Sequence, residues 1–187
     1  GIVLKLADGL KEINIAGQRV ISEAGVRLPV LAQKVCQHGL SGLEYLAAIP
    51  GTLGGALIMN AGAYGSCIGQ LVRRVTCLTS QGESINLEGD QLKFGYRQSS
   101  LAQENLIVVE AELFLQPEEP SIIKARMDKY QEERMRKQPL NLPNAGSVFV
   151  NAPGYAAGYL IEKAGAKGLR KGGAQVSEKH ANFIVNV

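Results

Sequence analysis

Two histidines, three cysteines and no apolar run approaching ~18 residues set the first limits on this 187-residue chain. Cys36, Cys67 and Cys77 are odd in number and contain no C-x-x-C pair, which argues against both a zinc site and a disulfide framework. Each reads as a small buried hydrophobe, and three reduced thiols fit a cytoplasmic protein. Without a long apolar run no membrane span is expected, and no secretory leader is visible after Gly1. An excess of one charge is also missing. The net charge is +3, and no basic run interleaves with aromatics, which speaks against a nucleic-acid partner.

Glycine, by contrast, is abundant: 22 residues, above the ~7% of an average chain. The glycines cluster at 39–65 and 146–173, so they are local devices rather than low complexity. Around them the first third alternates short strands and turns, with strands expected at 2–6, 12–15 and 19–22. A helix should run from Pro29 toward Gly39, carrying Leu31 and Val35 one turn apart. Strands are expected again at 71–79, 83–87 and 106–115, the last long, β-branched and entered through Asn105. Residues 116–120 are rich in proline and glutamate and read as a linker. Ser121 then caps a helix through Lys137, with Ile123, Met127 and Tyr130 as its apolar stripe. Glu132 with Arg136 and Glu133 with Lys137 lie four apart on its wet face. Residues 121–137 hold six basic and three acidic side chains, a solvated face or an end turned toward phosphates or a carboxylate. A strand at 147–150, a helix at 156–164 and a final strand at 181–187 complete an α+β pattern in two parts.

The glycine-rich stretch IPGTLGGALIMNAGAYG raises the question of a dinucleotide fingerprint. A G-x-G-x-x-G loop must follow a strand and open a helix, and Gly51, Gly54 and Gly55 lack that spacing, with Pro50 where the strand should end. Bare backbone can still bring N–H groups close to an anionic oxygen. On its own the stretch suits a helix contact and a phosphate cradle equally. Arg97 in FGYRQSS offers a planar cation for a carboxylate or a ring edge, although a lone arginine beside a turn is usually structural. Ser147 in NAGSVF lacks a G-x-S-x-G elbow and reads as a turn residue. His180 reads as a satisfied structural histidine.

Four blocks taken in order add a resemblance. GLSGLEYLAAIPGTLGGALIMNAGAYG at 39–65, FGYRQS at 94–99, RKQPLNLPNAGSVFVNAP at 136–153 and GLRKGGAQVSEKHANFIVN at 168–186 resemble the UDP-N-acetylenolpyruvylglucosamine reductases, in their shorter type II form. The resemblance implies a vanillyl-alcohol-oxidase (PCMH) type FAD domain over 1–117 and a smaller α+β substrate domain over 118–187. It implies FAD as cofactor, NADPH as co-substrate, and reduction of UDP-N-acetylglucosamine enolpyruvate to UDP-N-acetylmuramate for peptidoglycan by a bacterial monomer. Position by position, it makes Ser147 the proton donor and Arg97 the cation that meets developing enolate charge. Lys137 and Asn151 would contact substrate. Ile49, Pro50, Gly51, Thr52, Gly54, Gly55, Asn60 and Gly62 would line FAD, and Arg134 would stand near the flavin and diphosphates. Gln175 and Glu178 fall in a matching block without a role. The family pattern runs past both ends, through an upstream Gly-Ser-Asn turn and a glutamate after the NFIVN-like strand. Residues 1–187 alone are therefore expected to bind FAD weakly and to lack reductase activity. A non-catalytic fragment or degenerate relative, or another PCMH-type flavin oxidoreductase, are the alternatives.

Overall fold

The computed structural model describes Leu6 and residues 9–187. The strand expected at 2–6 lies outside the described residues, Leu6 apart. The chain divides into two compact units, Gly1–Tyr130 and Gln131–Val187.

In the first unit β1 (Ile13–Ala16) and β2 (Arg19–Glu23) form a hairpin. Ala16 pairs with Arg19, leaving Gly17 at φ +58° in a two-residue turn, a conformation glycine adopts without steric cost. Helix α1 (Leu28–Gln37) has proline in its first turn and buries Leu28, Leu31, Ala32, Val35 and Cys36 along one face. There follow β3 (Leu40–Ser41), a 3-10 turn at Glu44–Ala48, α2 (Leu53–Ile58), β4 (Gly62–Ala63) and β5 (Ser66–Cys67). Next come β6 (Val72–Leu78), β7 (Ser84–Glu88), β8 (Phe94–Gly95), β9 (Gln98–Ser99), α3 (Ser100–Gln103), β10 (Ile107–Phe114) and β11 (Gln116–Pro117). The main sheet is antiparallel in the order β1-β2-β10-β6-β7, with bulges where β10 meets β6. Leu28, Leu31, Leu46, Leu53, Leu57, Val75 and Leu113 form its fully buried core.

Helix α4 (Pro120–Lys137) crosses the division between the units. Ile123 and Met127 are buried and Tyr130 packs against the core, which is the stripe the spacing predicted. Its start differs from expectation: Pro120, not Ser121, begins the helix, because the missing N–H of proline is harmless at a first-turn position. Residues 116–120 are not a free linker either, since Gln116 and Pro117 pair with Ser41 and Leu40. The contact division falls at Tyr130 rather than near 117. The reason is that Ile123, Met127 and Arg126 hold the first half of α4 in the first unit. Arg126 bonds both oxygens of Glu118 and reaches Glu44 Oε1 at 2.8 Å, and Glu44, only 7% exposed, also accepts from Gly42 N at 2.9 Å.

That cluster carries a stability prediction. Arg126→Met leaves the Glu44 carboxylate buried without its cation and should cost about 2 kcal/mol, discounted for the part-exposed guanidinium. Arg126 also holds the Glu118 carboxyl below its ordinary value of 4.5, by hydrogen bonding first. A depressed carboxylate stabilises the fold above its unfolded pKa, and that stability disappears as pH falls through the lower folded value. Glu112, beside Arg19 and Arg74, shifts the same way. Thermal melts should therefore show the penalty of Arg126→Met near neutrality and a smaller one well below pH 4.5. An equal penalty at both pH values would contradict the ion-pair explanation.

The second unit holds β12 (Asn144–Ser147), α5 (Ala157–Lys163), β13 (Arg170–Lys171), β14 (Ala174–Val176) and β15 (Phe183–Asn186). Its sheet runs β12-β15-β14-β13, antiparallel. The buried apolar set is small: Ala157, Ala181, Phe183 and Val185. Buried Ser177 and Asn182 supply hydrogen bonds in its place. The strand expected at 147–150 is displaced. Pairing with β15 stops at Ser147, and Val148, Phe149 and Val150 stand exposed despite their strand-forming side chains.

Candidate functional site

Backbone geometry builds the first unit's site. β4 and β5 close on a two-residue turn, Tyr64 at φ +56° and Gly65 at φ +82°, the left-handed pair that tight hairpins require. β8 and β9 close likewise on Tyr96 and Arg97, with Arg97 at φ +57°. Asn60, at φ +44°, ties β8 to the turn after β5: Nδ2 donates to Gly95 O at 2.9 Å and Oδ1 accepts from Gly69 N at 3.0 Å. Two of these non-glycine left-handed residues, Asn60 and Arg97, thus line one feature, a cavity of about 500 Å³ walled by parts of segments 60–67 and 94–97. Such backbone is sterically disfavoured outside glycine and tends to mark functional positions.

The Arg97 guanidinium lies over the Tyr96 ring, 5.1 Å from its centroid, and donates to Gly62 O at 3.3 Å. Gly62 has no room for a side chain, because a Cβ would lie 2.6 Å from Ser66 O. Cys67, expected to be buried, is half-buried on the cavity wall, since the β5 edge leaves one side open. Cys36 and Cys77 are buried as expected, and burial pushes the Cys77 thiol up to about 11.

The loop before α2 separates the two roles that its glycines could play. Gly54 N donates to Ala24 O at 2.9 Å, and its absent Cβ would sit 3.1 Å from Ala24 Cβ, so this glycine permits helix packing on the end of β2. Leu53 N donates to Val26 O, and Gly51 O accepts from Leu28 N. Ile49 packs against the core and Pro50 is exposed. Gly51 and Gly55 face open space except for Leu28 Cδ1 and Thr52 Oγ1 at the edge of contact. Among the described residues, the N–H groups of Gly51, Thr52 and Gly55 have no hydrogen-bond acceptor, and no side chain caps α2. None of residues 49–55 lines the Arg97 cavity.

In the second unit Ser147 and Asn151 line one cavity of about 370 Å³, with Tyr159 and Glu162 of α5 and the turn Lys179–Asn182. Asn144 Oδ1 accepts from Gly146 N at 3.0 Å, and Gly146 takes φ +84°, so a tight turn presents Ser147 at the end of β12. The Ser147 hydroxyl has no hydrogen-bond partner among the described residues. Asn151 Oδ1 accepts from Ala157 N at 2.9 Å, which commits that atom to the start of α5 and leaves the amide N–H₂ for a ligand. His180 behaves as the satisfied histidine its context suggested. Nδ1 accepts from Asn182 N, the ring meets Phe183 edge-on at 4.8 Å, and burial lowers its pKa. Glu178 folds over Gly168. Lys137 and Arg134, in the last turn of α4, do not line this cavity. Lys137 Nζ meets Glu133 Oε2 at 3.0 Å, and Arg134 Nε donates to Gln138 Oε1 at 2.8 Å. Asn182 was not foreseen as a site residue, because its partners lie 33 positions away.

An antiparallel α+β first unit with an open, glycine-lined backbone, followed by a small sheet unit with a presented serine, defines a two-part ligand-binding protein. Its first part is of the FAD-binding class: a family model described as "FAD binding domain" matches residues 1–88. A second, described as "UDP-N-acetylenolpyruvoylglucosamine reductase, C-terminal domain", matches residues 138–187. Curated relatives with that reductase name include those of Syntrophomonas wolfei, 43% identical, and Carboxydothermus hydrogenoformans, 46% identical. Both align with 100% of this chain, which covers 62% of each relative. The solved reductase (MurB) from Thermus caldophilus superposes with a TM-score of 0.80 at 38% identity, over 89% of this chain and 61% of that one. The chain belongs to the UDP-N-acetylenolpyruvoylglucosamine reductase family and spans about three fifths of the length of the relatives it matches.

Proposed function

We propose that the protein carrying this chain uses FAD and NADPH to reduce UDP-N-acetylglucosamine enolpyruvate to UDP-N-acetylmuramate, a cytoplasmic step toward peptidoglycan. The observation that carries this reading is whole-chain similarity to named reductases at 43% and 46% identity, with both family domains in order. FAD fits the residues present. The unpaired N–H groups of Gly51, Thr52 and Gly55, on open backbone, suit the oxygens of a diphosphate, which needs donors and close approach rather than side chains. Ile49, Pro50 and Gly54 shape that loop, while Asn60 and Gly62 support the neighbouring wall. Arg134 adds positive charge at the end of α4. FAD, when bound, supplies hydride transfer.

The chain's own residues handle the charge and the proton. Hydride addition to the enolpyruvyl methylene leaves an enolate beside the carboxylate. Arg97 offers that charge a planar cation, and the unpaired Ser147 hydroxyl protonates the adjacent carbon. The Asn151 amide holds the substrate in that cavity; Lys137, outside it and paired with Glu133, is a substrate contact by family resemblance alone. Purified protein should consume NADPH only when the enolpyruvyl sugar nucleotide is present. Equal consumption without it would point instead to a flavin oxidase.

The two glycines of the loop give a further test. Gly54→Val should cost about 1–3 kcal/mol by crowding Ala24, whether or not FAD is present. A Cβ at Gly55 meets only Thr52 Oγ1, at 3.8 Å, so Gly55→Val should leave the melting temperature within a few degrees while lowering bound FAD. Normal flavin absorbance in the purified Gly55 variant would remove the loop from the cofactor site.

A further inference from the structure

The segment between Ser147 and Asn151 has little to hold it. Its side chains Val148, Phe149 and Val150 are 46%, 61% and 62% exposed, and the β12–β15 pairing has already ended at Ser147. Burial, the usual anchor of a loop, is missing here. Among the described residues, every hydrogen bond to Val148 and Phe149 comes from one residue, Asn182. Its backbone oxygen accepts from Val148 N at 3.0 Å. Its side chain brackets the Phe149 backbone, with Oδ1 accepting from Phe149 N at 2.9 Å and Nδ2 donating to Phe149 O at 2.8 Å. Asn182 is only 4% exposed, and its own N–H is bound to His180 Nδ1 at 3.2 Å, so the bracket is rigidly mounted. A primary amide is the one neutral side chain of this size that donates and accepts side by side, in the pattern of a paired strand.

We infer that Asn182 is a positioning residue for the substrate half-reaction: with its side-chain amide committed to the Phe149 backbone, it sets the chain that carries the Ser147 hydroxyl and the Asn151 amide. This rests on the reading of Ser147 as proton donor. A misplacement of about 1 Å in a reacting group can cost about 10²-fold in rate, so the bracket matters to chemistry more than to folding. Asparagine to alanine removes both hydrogen bonds. Asparagine to aspartate keeps the acceptor but sets a second carboxylate oxygen against Phe149 O. Protonation of that carboxyl restores an O–H donor and completes the bracket again.

The test compares Asn182→Ala, Asn182→Asp and Ser147→Ala in the intact, FAD-loaded protein by stopped-flow absorbance. Expected for Asn182→Ala are NADPH reduction of flavin within about twofold of wild type and reoxidation by the enolpyruvyl sugar nucleotide slowed about 10²-fold. Amide exchange at Phe149 should speed up in parallel. Asn182→Asp should show the same reoxidation defect at alkaline pH, narrowing relative to wild type as the pH is lowered. That recovery decides the matter even if the alanine variant does not fold. Wild-type reoxidation in both Asn182 variants, alongside a slow Ser147→Ala, overturns the inference and leaves the Ser147 reading standing. Equal loss in both half-reactions without acid recovery also overturns it, as a merely structural residue. Wild-type reoxidation in Ser147→Ala removes the proton-donor reading, and this inference with it.

Discussion

Ser147→Ala is expected to leave flavin reduction by NADPH within about twofold of wild type and to slow reoxidation by the enolpyruvyl substrate about 10²–10⁴-fold. The asymmetry follows from where the hydroxyl sits and what it lacks. The Asn144–Gly146 turn presents Ser147 at the end of β12, in the same cavity as Asn151, with no partner for its oxygen among the described residues. An unpaired O–H needs no bond broken before it gives up its proton. A neutral hydroxyl is a poor acid, but in the proposed reaction the enolate left by hydride addition would be a strong base beside it. The NADPH step creates no such base, so it should not register the change. Matched losses in the two half-reactions would show that alanine had damaged the protein rather than its chemistry.

Arg97 should show function and stability moving in opposite directions. Its φ of +57° is disfavoured for a side chain of this size, and among the described residues the guanidinium meets only Gly62 O and the Tyr96 face. Arg97→Gly relieves the backbone and should raise stability by about 1 kcal/mol. The same change removes the cation proposed to meet the enolate and should slow substrate reduction about 10²–10³-fold. Arg97→Lys should recover little, because an ammonium does not reproduce the planar fork. A glycine variant that melts lower and turns over normally would return Arg97 to a structural role.

The long elements were legible because their signals are local. β2, β6 and β10 follow clusters of β-branched residues, β7 the alternation of Ile85 and Leu87, α1 Leu31 and Val35, and α4 Ile123, Met127 and Tyr130. What escaped depends on distant partners. Glycines make Leu53–Ile58 a poor helix by propensity, yet Ala24, thirty positions earlier, makes Gly54 the residue that lets the helix dock. Val148–Val150 has strand composition but no partner strand beyond Ser147. The site shows the same division. The residue types of Arg97, Ser147 and Asn151 could be named from motif blocks. The left-handed turns, the commitment of Asn60 to Gly95 and Gly69, and the Asn182 bracket needed the folded backbone. Bare backbone at 49–65 proved to serve two purposes. Gly54 and Gly62 answer to packing, and Gly51 and Gly55 keep a surface open.

The central claim is tested most directly by an anaerobic single turnover. The intact protein is reduced with one equivalent of NADPH, freed of nucleotide and mixed with UDP-N-acetylglucosamine enolpyruvate, while the flavin spectrum and the sugar nucleotide are followed together. The oxidised spectrum should return with one equivalent of UDP-N-acetylmuramate formed. A spectrum that stays reduced until oxygen is admitted, with the enolpyruvyl compound intact, would contradict it.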